Sequence, residues 1–116
     1  MQDSQIAHVH VFVSDRPGAV QWLEKVWNSS PVTEDHEMSL FIFGSTQLVV
    51  NDAEEDIPST IAFTSDDCDR DFQRVIGKGA VSVDEPKDMP WGVRAGFVQG
   101  PGKLTFEIEQ PLEMSF

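Results

Sequence analysis

Apolar and polar positions alternate near the start of the chain and then recur at helical spacing. Residues 6–13 are rich in β-branched and aromatic types and alternate between two sets of side chains, which is typical of a strand. Ser14 or Asp15 then offers an N-cap, and Pro17 suits a first helical turn. Apolar residues repeat every three or four positions as far as Trp27. The pattern predicts a strand followed by a helix of about 10 to 12 residues.

A hairpin pattern follows this helix. The segments 40–43 and 48–50 are apolar runs, and a Gly-Ser-Thr sequence at 44–46 separates them. Two strands joined by a short turn are therefore predicted. An acidic, Pro-containing break over 51–58 ends this part of the chain.

The same order of elements begins again after the break. Residues 60–64 form the next alternating run, and Asp66 or Asp67 offers a cap. Cys68 opens a stripe of apolar residues at i, i+4, i+7 and i+8, which predicts a second helix that a glycine ends. Three later apolar runs predict strands at 81–83, 93–98 and 104–108.

The two halves of the chain repeat one pattern at an offset of 52 residues. This offset places His8 over Thr60, Val11 over Phe63 and Val20 over Phe72. The sequence therefore predicts an α+β fold, in which one domain over residues 1–116 contains two βαβββ modules at about 6–52 and 59–110. Each module has one helix to cover one face of its strands. Side by side, the modules are expected to form a curved, mostly antiparallel half-barrel with helices on the convex face and an open concave surface.

Composition narrows the classes of partner. The 116 residues include 20 Asp and Glu against 8 Lys and Arg, a formal net charge of −12. Because nucleic-acid binding depends on basic side chains, a nucleic-acid partner is not expected, whereas cationic ligands would be attracted. No apolar run approaches the roughly 18 residues of a membrane span, and one cysteine requires no oxidising compartment. A cytoplasmic protein without a membrane partner is predicted.

Four segments, in their order and spacing, carry a resemblance to a known superfamily. They are the opening strand and cap at 6–15, Gln47-Leu48, Pro90-Trp91-Gly92-Val93-Arg94, and Gly100-Pro101-Gly102-Lys103 followed by Phe106-Glu107-Ile108. Over residues 6–111 the chain resembles the glyoxalase, bleomycin-resistance and extradiol-dioxygenase superfamily, also called vicinal oxygen chelate proteins. The resemblance implies the paired βαβββ fold and a homodimer.

The resemblance also implies a divalent-metal site, in which His8 would be the first ligand and Glu107 the final-strand glutamate. Gln47 falls where Glu or Gln is common, but Thr60 stands where metal-dependent members have a second histidine. His10 offers a replacement, because two histidines and one carboxylate form the facial set suited to non-haem iron. A Ni, Zn, Mn or Fe ion would act as a Lewis acid, with Glu107 as the catalytic group that moves a proton.

Without a metal, polar groups on the same surfaces would orient a ligand by hydrogen bonds. His10, Gln47 and Thr60 are candidate ligand-binding residues. Trp91, in a Pro-Trp-Gly turn, could stack on a flat ligand, and Arg94 could pair with a carboxylate. Two hypotheses stay open: a drug- or toxin-sequestering small-molecule-binding protein whose ligand is flat and can be cationic, and a metal-dependent lyase, isomerase or dioxygenase. A structural or interaction module is a third.

Overall fold

The first half of the chain folds as a β-α-β-β-β unit with one helix and one mixed sheet. The computed structural model describes residues 4–112, and contacts divide the chain into two units between Ile57 and Pro58. In unit 1 the elements are β1 (His8–Val13), α1 (Arg16–Val26), β2 (Thr33–Glu34), β3 (Met38–Phe43) and β4 (Thr46–Asp52). The sheet order is β1-β4-β3-β2, in which β1 pairs with β4 in parallel and the other pairs are antiparallel.

The second half repeats this order. In unit 2 the elements are β5 (Ser59–Thr64), α2 (Cys68–Gly77), β6 (Val81–Asp88), β7 (Val93–Gln99) and β8 (Leu104–Pro111). The sheet order is β5-β8-β7-β6, again with one parallel pair, β5 with β8. The predicted α+β class and the doubled β-α-β-β-β order are confirmed. No helix within residues 4–112 is long and apolar enough to cross a membrane.

Equivalent aspartates begin the two helices. The Asp15 carboxylate accepts a hydrogen bond from the Gly18 amide, and Asp67 accepts one from the Arg70 amide, so each caps an otherwise unpaired N–H. The two caps are 52 positions apart, as the sequence offset predicts. A Cβ at Gly18 would lie 2.3 Å from Asp15 Oδ2, so a larger residue there would displace the capping carboxylate.

Each helix covers one face of its own sheet. In unit 1, Leu23 of α1 and the strand residues Val11, Phe41 and Val50 are fully buried. In unit 2, Phe72 of α2 packs so closely on β7 that a Cβ at Gly96 would lie 2.8 Å from the Phe72 ring. Burial of these side chains supplies the main driving force for each unit.

A hydrogen-bond network around Arg16 and buried Ser39 fixes β2, which is polar and has only two residues. Arg16 donates to Ser39 Oγ (2.9 Å), to the Asp35 carbonyl (3.2 Å) and to the Asp52 carboxylate (3.0 Å). Ser39 is fully buried and donates in turn to Glu34 Oε1 (2.9 Å). This network ties the start of α1 to β2, β3 and β4.

Two strands differ from the expected ones. The strand β2 has no apolar alternation, so the pattern of apolar residues does not indicate it. It pairs with β3, where Leu40 lies opposite Thr33. The strand β6 runs to Asp88 instead of ending at residue 83, with irregular register against β7. Its later part is polar and contains Pro86, two features that argue against a strand in the sequence pattern but that an edge strand tolerates.

Candidate functional site

In unit 1 the face of the sheet opposite α1 carries the predicted imidazoles. Because Val11 and Val13 point into the helix-covered core, the alternate residues of β1 point to the other face. These are His8, His10 and Phe12, and both histidines are exposed. Gln47 lies directly beside His8 in the register of β1 and β4. The structure therefore brings together His8, His10 and Gln47, as predicted from the alternation.

The three rings of β1 form a continuous row. The His8 and His10 rings meet edge to face with centroids 4.9 Å apart, and the His10 and Phe12 rings stack with centroids 6.4 Å apart. The planes of the His8 and His10 rings lie at 79° to each other, and those of His10 and Phe12 at 20°. The row therefore presents ring edges and ring faces, beside polar atoms, against which a flat ligand can pack.

The remaining strand positions on this face are apolar or uncharged. By register they belong to β2, β3 and β4: Thr33, Met38, Leu40, Ile42, Val49 and Asn51. Ile42 is half exposed. We call this surface, with His8, His10, Phe12 and Gln47, the ring face; none of these strand positions holds an acidic side chain, Lys or Arg.

Asn51 holds His10 from the neighbouring strand. Its side-chain nitrogen lies 3.0 Å from His10 Nδ1 and 3.2 Å from each of the Val11 and Val49 carbonyl oxygens. The alternation of β4 placed Asn51 on this face, but nothing in the sequence indicates its bond to His10. That bond depends on how β1 and β4, about 40 residues apart in the chain, align.

In unit 2 the face opposite α2 carries Glu107. Gly96 packs on α2 and its partner in β8 is Ile108, so Glu107 points to the opposite face. Its neighbours there are Ala62 of β5 and Phe97 of β7. Thr60 lies on the same face opposite Thr105, so this face does gather Thr60 and Glu107 in one sheet.

A second carboxylate accompanies Glu107. Glu109 lies two residues further along β8 and therefore on the same face. Burial raises the pKa of Glu107, and the hydrogen bond and negative charge of Glu109 raise this pKa further. We call these two side chains the carboxylate pair. The i, i+2 spacing in the final strand is the sequence signal for it.

Arg94 lies on the opposite face of the unit 2 sheet from Glu107. Its guanidinium donates to both oxygens of Asp69 in α2 (2.8 and 3.1 Å) and to Asp88 (3.0 Å). These hydrogen bonds raise the pKa of Arg94 above its ordinary value. Its predicted contact with a ligand would require these ion pairs to open, and it stays a prediction.

Trp91 occupies the turn between β6 and β7, and its side chain is 66% exposed. Gly92 has a positive φ of 89°, which the turn requires and which glycine adopts at no steric cost. The Gly92 amide donates to the Met89 carbonyl (3.3 Å). The large ring is therefore not needed to fill the core of the unit, and its contact with a ligand stays a prediction.

Cys68 is buried and packs on the sheet. Its thiol donates to the Ile108 carbonyl (3.2 Å), and burial raises the pKa of the thiol. A thiol in this environment is a poor nucleophile. Its surroundings agree with the packing role expected from its place in the apolar stripe.

The donor atoms of the two units do not by themselves fit the implied divalent ion. Within residues 4–112, no three His, Cys, Asp or Glu side chains are grouped so that they could hold a metal. Unit 1 supplies two imidazoles and the weak oxygen of Gln47, and Asn51 already binds His10 Nδ1. Unit 2 supplies the carboxylate pair. A site built from His8 and Glu107 stays a prediction.

Comparisons with known proteins agree on one family. A family model described as Glyoxalase/Bleomycin resistance protein/Dioxygenase superfamily matches residues 5–108. A search of the curated proteins found no match.

Solved structures share the fold at low sequence identity. A glyoxalase/bleomycin resistance protein/dioxygenase from Nocardioides is 18% identical with a TM-score of 0.83, covering 97% of this chain and 86% of that one. A superfamily member from Sphaerobacter thermophilus is 15% identical with a TM-score of 0.77, covering 95% and 99%. TioX from Micromonospora sp. ML1 is 21% identical with a TM-score of 0.75, covering 94% and 100%. At these identities the likeness shows the fold.

Proposed function

The chain belongs to the glyoxalase/bleomycin resistance protein/dioxygenase superfamily, and from this premise we propose that it binds and sequesters a flat, drug- or toxin-like small molecule. The observation that carries this proposal is the row of three rings on the ring face, with centroid separations of 4.9 and 6.4 Å. Flat ligands bind to such surfaces by stacking and by excluding water.

The groups around the rings favour binding over chemistry. Gln47 and His10 can orient a ligand through hydrogen bonds, and the row of rings and the apolar strand residues beside it offer area for packing. The proposal therefore assigns Gln47 and His10 to orientation and the rings to affinity.

Within unit 2, the carboxylate pair gives the protein a second place that attracts cationic molecules. A cation near Glu107 and Glu109 would offset their mutual repulsion, which is one of the causes of the raised Glu107 pKa. The net charge of −12 adds long-range attraction for cations. Binding of a cationic ligand at this pair would therefore release protons near the pKa of Glu107.

Fluorescence titration with two flat probes, the cationic dye proflavine and the neutral compound fluorenone, tests this proposal. We expect saturable binding that Phe12→Ala weakens about tenfold, which corresponds to the loss of one stacked ring. The matched control is His36→Ala, because His36 is highly exposed, lies outside the strands and contacts the likewise exposed Glu37. Equal affinity of Phe12→Ala and His36→Ala for both probes would refute the assignment to the ring face.

A metal titration distinguishes the alternative, a metal-dependent enzyme, from a protein that only binds its ligand. Protein purified without a histidine tag is analysed for metal and then heated with Ni²⁺, Zn²⁺, Mn²⁺ or Fe²⁺. Stabilisation that both His8→Ala and Glu107→Ala abolish would overturn the binding-only proposal in favour of a metal-dependent lyase, isomerase or dioxygenase. We expect no stabilisation that depends on both residues.

The proposed place of action is the cytoplasm. The single cysteine is buried and requires no oxidising compartment. The homodimer implied by the family resemblance is part of the proposal, and light scattering after size exclusion would test it against the 13.0 kDa monomer.

A further inference from the structure

The contact between Asn51 and His10 determines what His10 can offer a ligand. In a neutral imidazole one ring nitrogen carries a proton and the other has a free lone pair. A hydrogen bond at one nitrogen therefore decides whether the other nitrogen is a donor or an acceptor. In this structure the hydrogen-bonded nitrogen is Nδ1, and its partner is the Asn51 side chain at 3.0 Å. The direction of that hydrogen bond therefore decides whether Nε2 carries the ring proton.

Two backbone carbonyls establish the orientation of the Asn51 amide. The Nδ2 atom lies 3.2 Å from the carbonyl oxygens of Val11 and Val49, and a carbonyl oxygen can only accept a hydrogen bond. With the amide reversed, Oδ1 would face two other oxygens without a proton between them. The NH₂ group must therefore point toward His10, where its two N–H groups are shared among Nδ1 and the two carbonyl oxygens. An amide nitrogen cannot accept a hydrogen bond, so a proton on Nδ1 would have no acceptor there, and Nδ1 is the unprotonated acceptor.

We infer that Asn51 locks neutral His10 in the Nε2–H tautomer, so that His10 is a hydrogen-bond donor site for a neutral oxygen acceptor on the ligand. Because Nδ1 accepts, the ring proton is on Nε2. His10 is exposed, and its Nε2 makes no hydrogen bond to any of residues 4–112. Asn51 is the positioning residue, since it acts on the ligand only through the His10 ring.

The surroundings select a carbonyl oxygen over a carboxylate. Phe12 stacks on the His10 ring. Val49, which pairs with His10 in the register of β1 and β4, is buried and apolar. No cation among the strand positions of the ring face would compensate an anion, and the acidic chain repels anions at long range. A ketone or quinone oxygen on a flat ring system satisfies both the donor and the apolar neighbours.

The same tautomer removes His10 from the predicted metal set. A metal ligand must present a lone pair, and Nε2 carries the proton while Nδ1 is bound to Asn51. The facial set of His8, His10 and Glu107 would require this contact to break. The inference rests on the proposed function for the identity of the ligand, but the tautomer stands independently of it.

Nitrogen-15 NMR of the intact protein tests the tautomer directly. We expect His10 to show an unprotonated Nδ1 and a protonated Nε2 at a pH where the ring is neutral. Asn51→Ala should give His10 a mixture of the two tautomers. Identical tautomer populations at His10 in the wild type and Asn51→Ala would overturn the inference.

Asn51→Asp provides a reversal test. A carboxylate accepts from Nδ1–H, so this variant should expose a lone pair at Nε2 and create Ni²⁺ binding that His10→Ala removes. Ni²⁺ binding to the wild type that depends on His10 would contradict the inference. If Asn51→Asp does not fold, the Asn51→Ala spectrum still decides.

A matched pair of ligands separates this inference from the proposed function. Fluorenone has a carbonyl oxygen that fluorene lacks, and one hydrogen bond should favour fluorenone by about threefold to tenfold in the wild type and not at all in His10→Phe. Failure of both compounds to bind would refute the choice of ligand class but leave the tautomer to the NMR result. Equal binding of both by the wild type would refute the donor role of His10.

Discussion

Substitution of Gly96 by alanine tests how closely α2 covers the unit 2 sheet, on the face opposite Glu107. A Cβ at this position would lie 2.8 Å from Phe72 Cδ2 and 3.1 Å from Pro86 Cγ. Ordinary carbon contacts are about 3.5–4.0 Å, so the ring would have to move by roughly 0.7 Å or more. Phe72 is 1% exposed and has no open space beside it. We expect Gly96→Ala to lower the free energy of unfolding by about 1–3 kcal/mol, the usual cost of overpacking.

Urea denaturation monitored by circular dichroism measures this cost. Gly77→Ala is the matched control, because nothing lies within 4 Å of a Cβ there and its φ is not positive. Alanine near the end of α2 should leave stability unchanged or raise it by up to about 1 kcal/mol. In a Phe72→Leu background the cost of Gly96→Ala should shrink by about 1 kcal/mol. Equal stability of the two glycine variants would refute the close packing of α2 on β7.

Three further predictions concern the carboxylate pair, the arginine network and the exposed tryptophan. Burial raises the pKa of Glu107 in the folded state, so the folded protein holds this proton more tightly than the unfolded chain does. The resulting contribution to the free energy of unfolding is fully present below the unfolded-state pKa. It is lost as the pH rises through the folded-state pKa. Glu107→Gln should therefore gain stability relative to the wild type across that range, as urea midpoints at successive pH values would show; a constant difference would contradict the raised pKa. Arg16→Met should cost about 1.5–3 kcal/mol by leaving buried Ser39 without its donor, whereas Arg70→Met, which removes only exposed ion pairs, should cost less than about 1 kcal/mol by the same assay. Trp91→Phe should remove most of the acrylamide-quenched fluorescence, because the Trp91 side chain is 66% exposed; unchanged quenching would show that the ring is covered.

Elements with a local signal could be predicted from the sequence. Both helices follow from an aspartate cap and an apolar stripe, and the caps at Asp15 and Asp67 form as predicted. The short strand β2 could not be predicted, because its two polar residues are held by pairing with β3 and by the hydrogen bond from Ser39 to Glu34 rather than by apolar alternation. A local sequence pattern predicts only the elements that are stabilised by interactions between residues close together in the chain.

The same limit explains which parts of the candidate site were foreseen. Alternation correctly placed His8 and His10 together on one face of β1, because only two faces exist. It could not show the side on which Arg94 lies, since β7 has apolar or small residues on both faces and only its contact with Asp69 of α2 decides. The bond from Asn51 to His10 depends on the register of two distant strands. Long-range register and helix placement therefore account for what the pattern missed.

The duplicated βαβββ scaffold lets two chemistries evolve independently within one polypeptide. Each unit buries its own hydrophobic side chains beneath its own helix. In the first strand, His8 and His10 of the first copy correspond to Thr60 and Ala62 of the second, whereas the last strand of the second copy carries the acids Glu107 and Glu109. A repeated architecture of this kind can acquire a new specificity by mutation of a few outward-pointing strand residues, at little cost to folding.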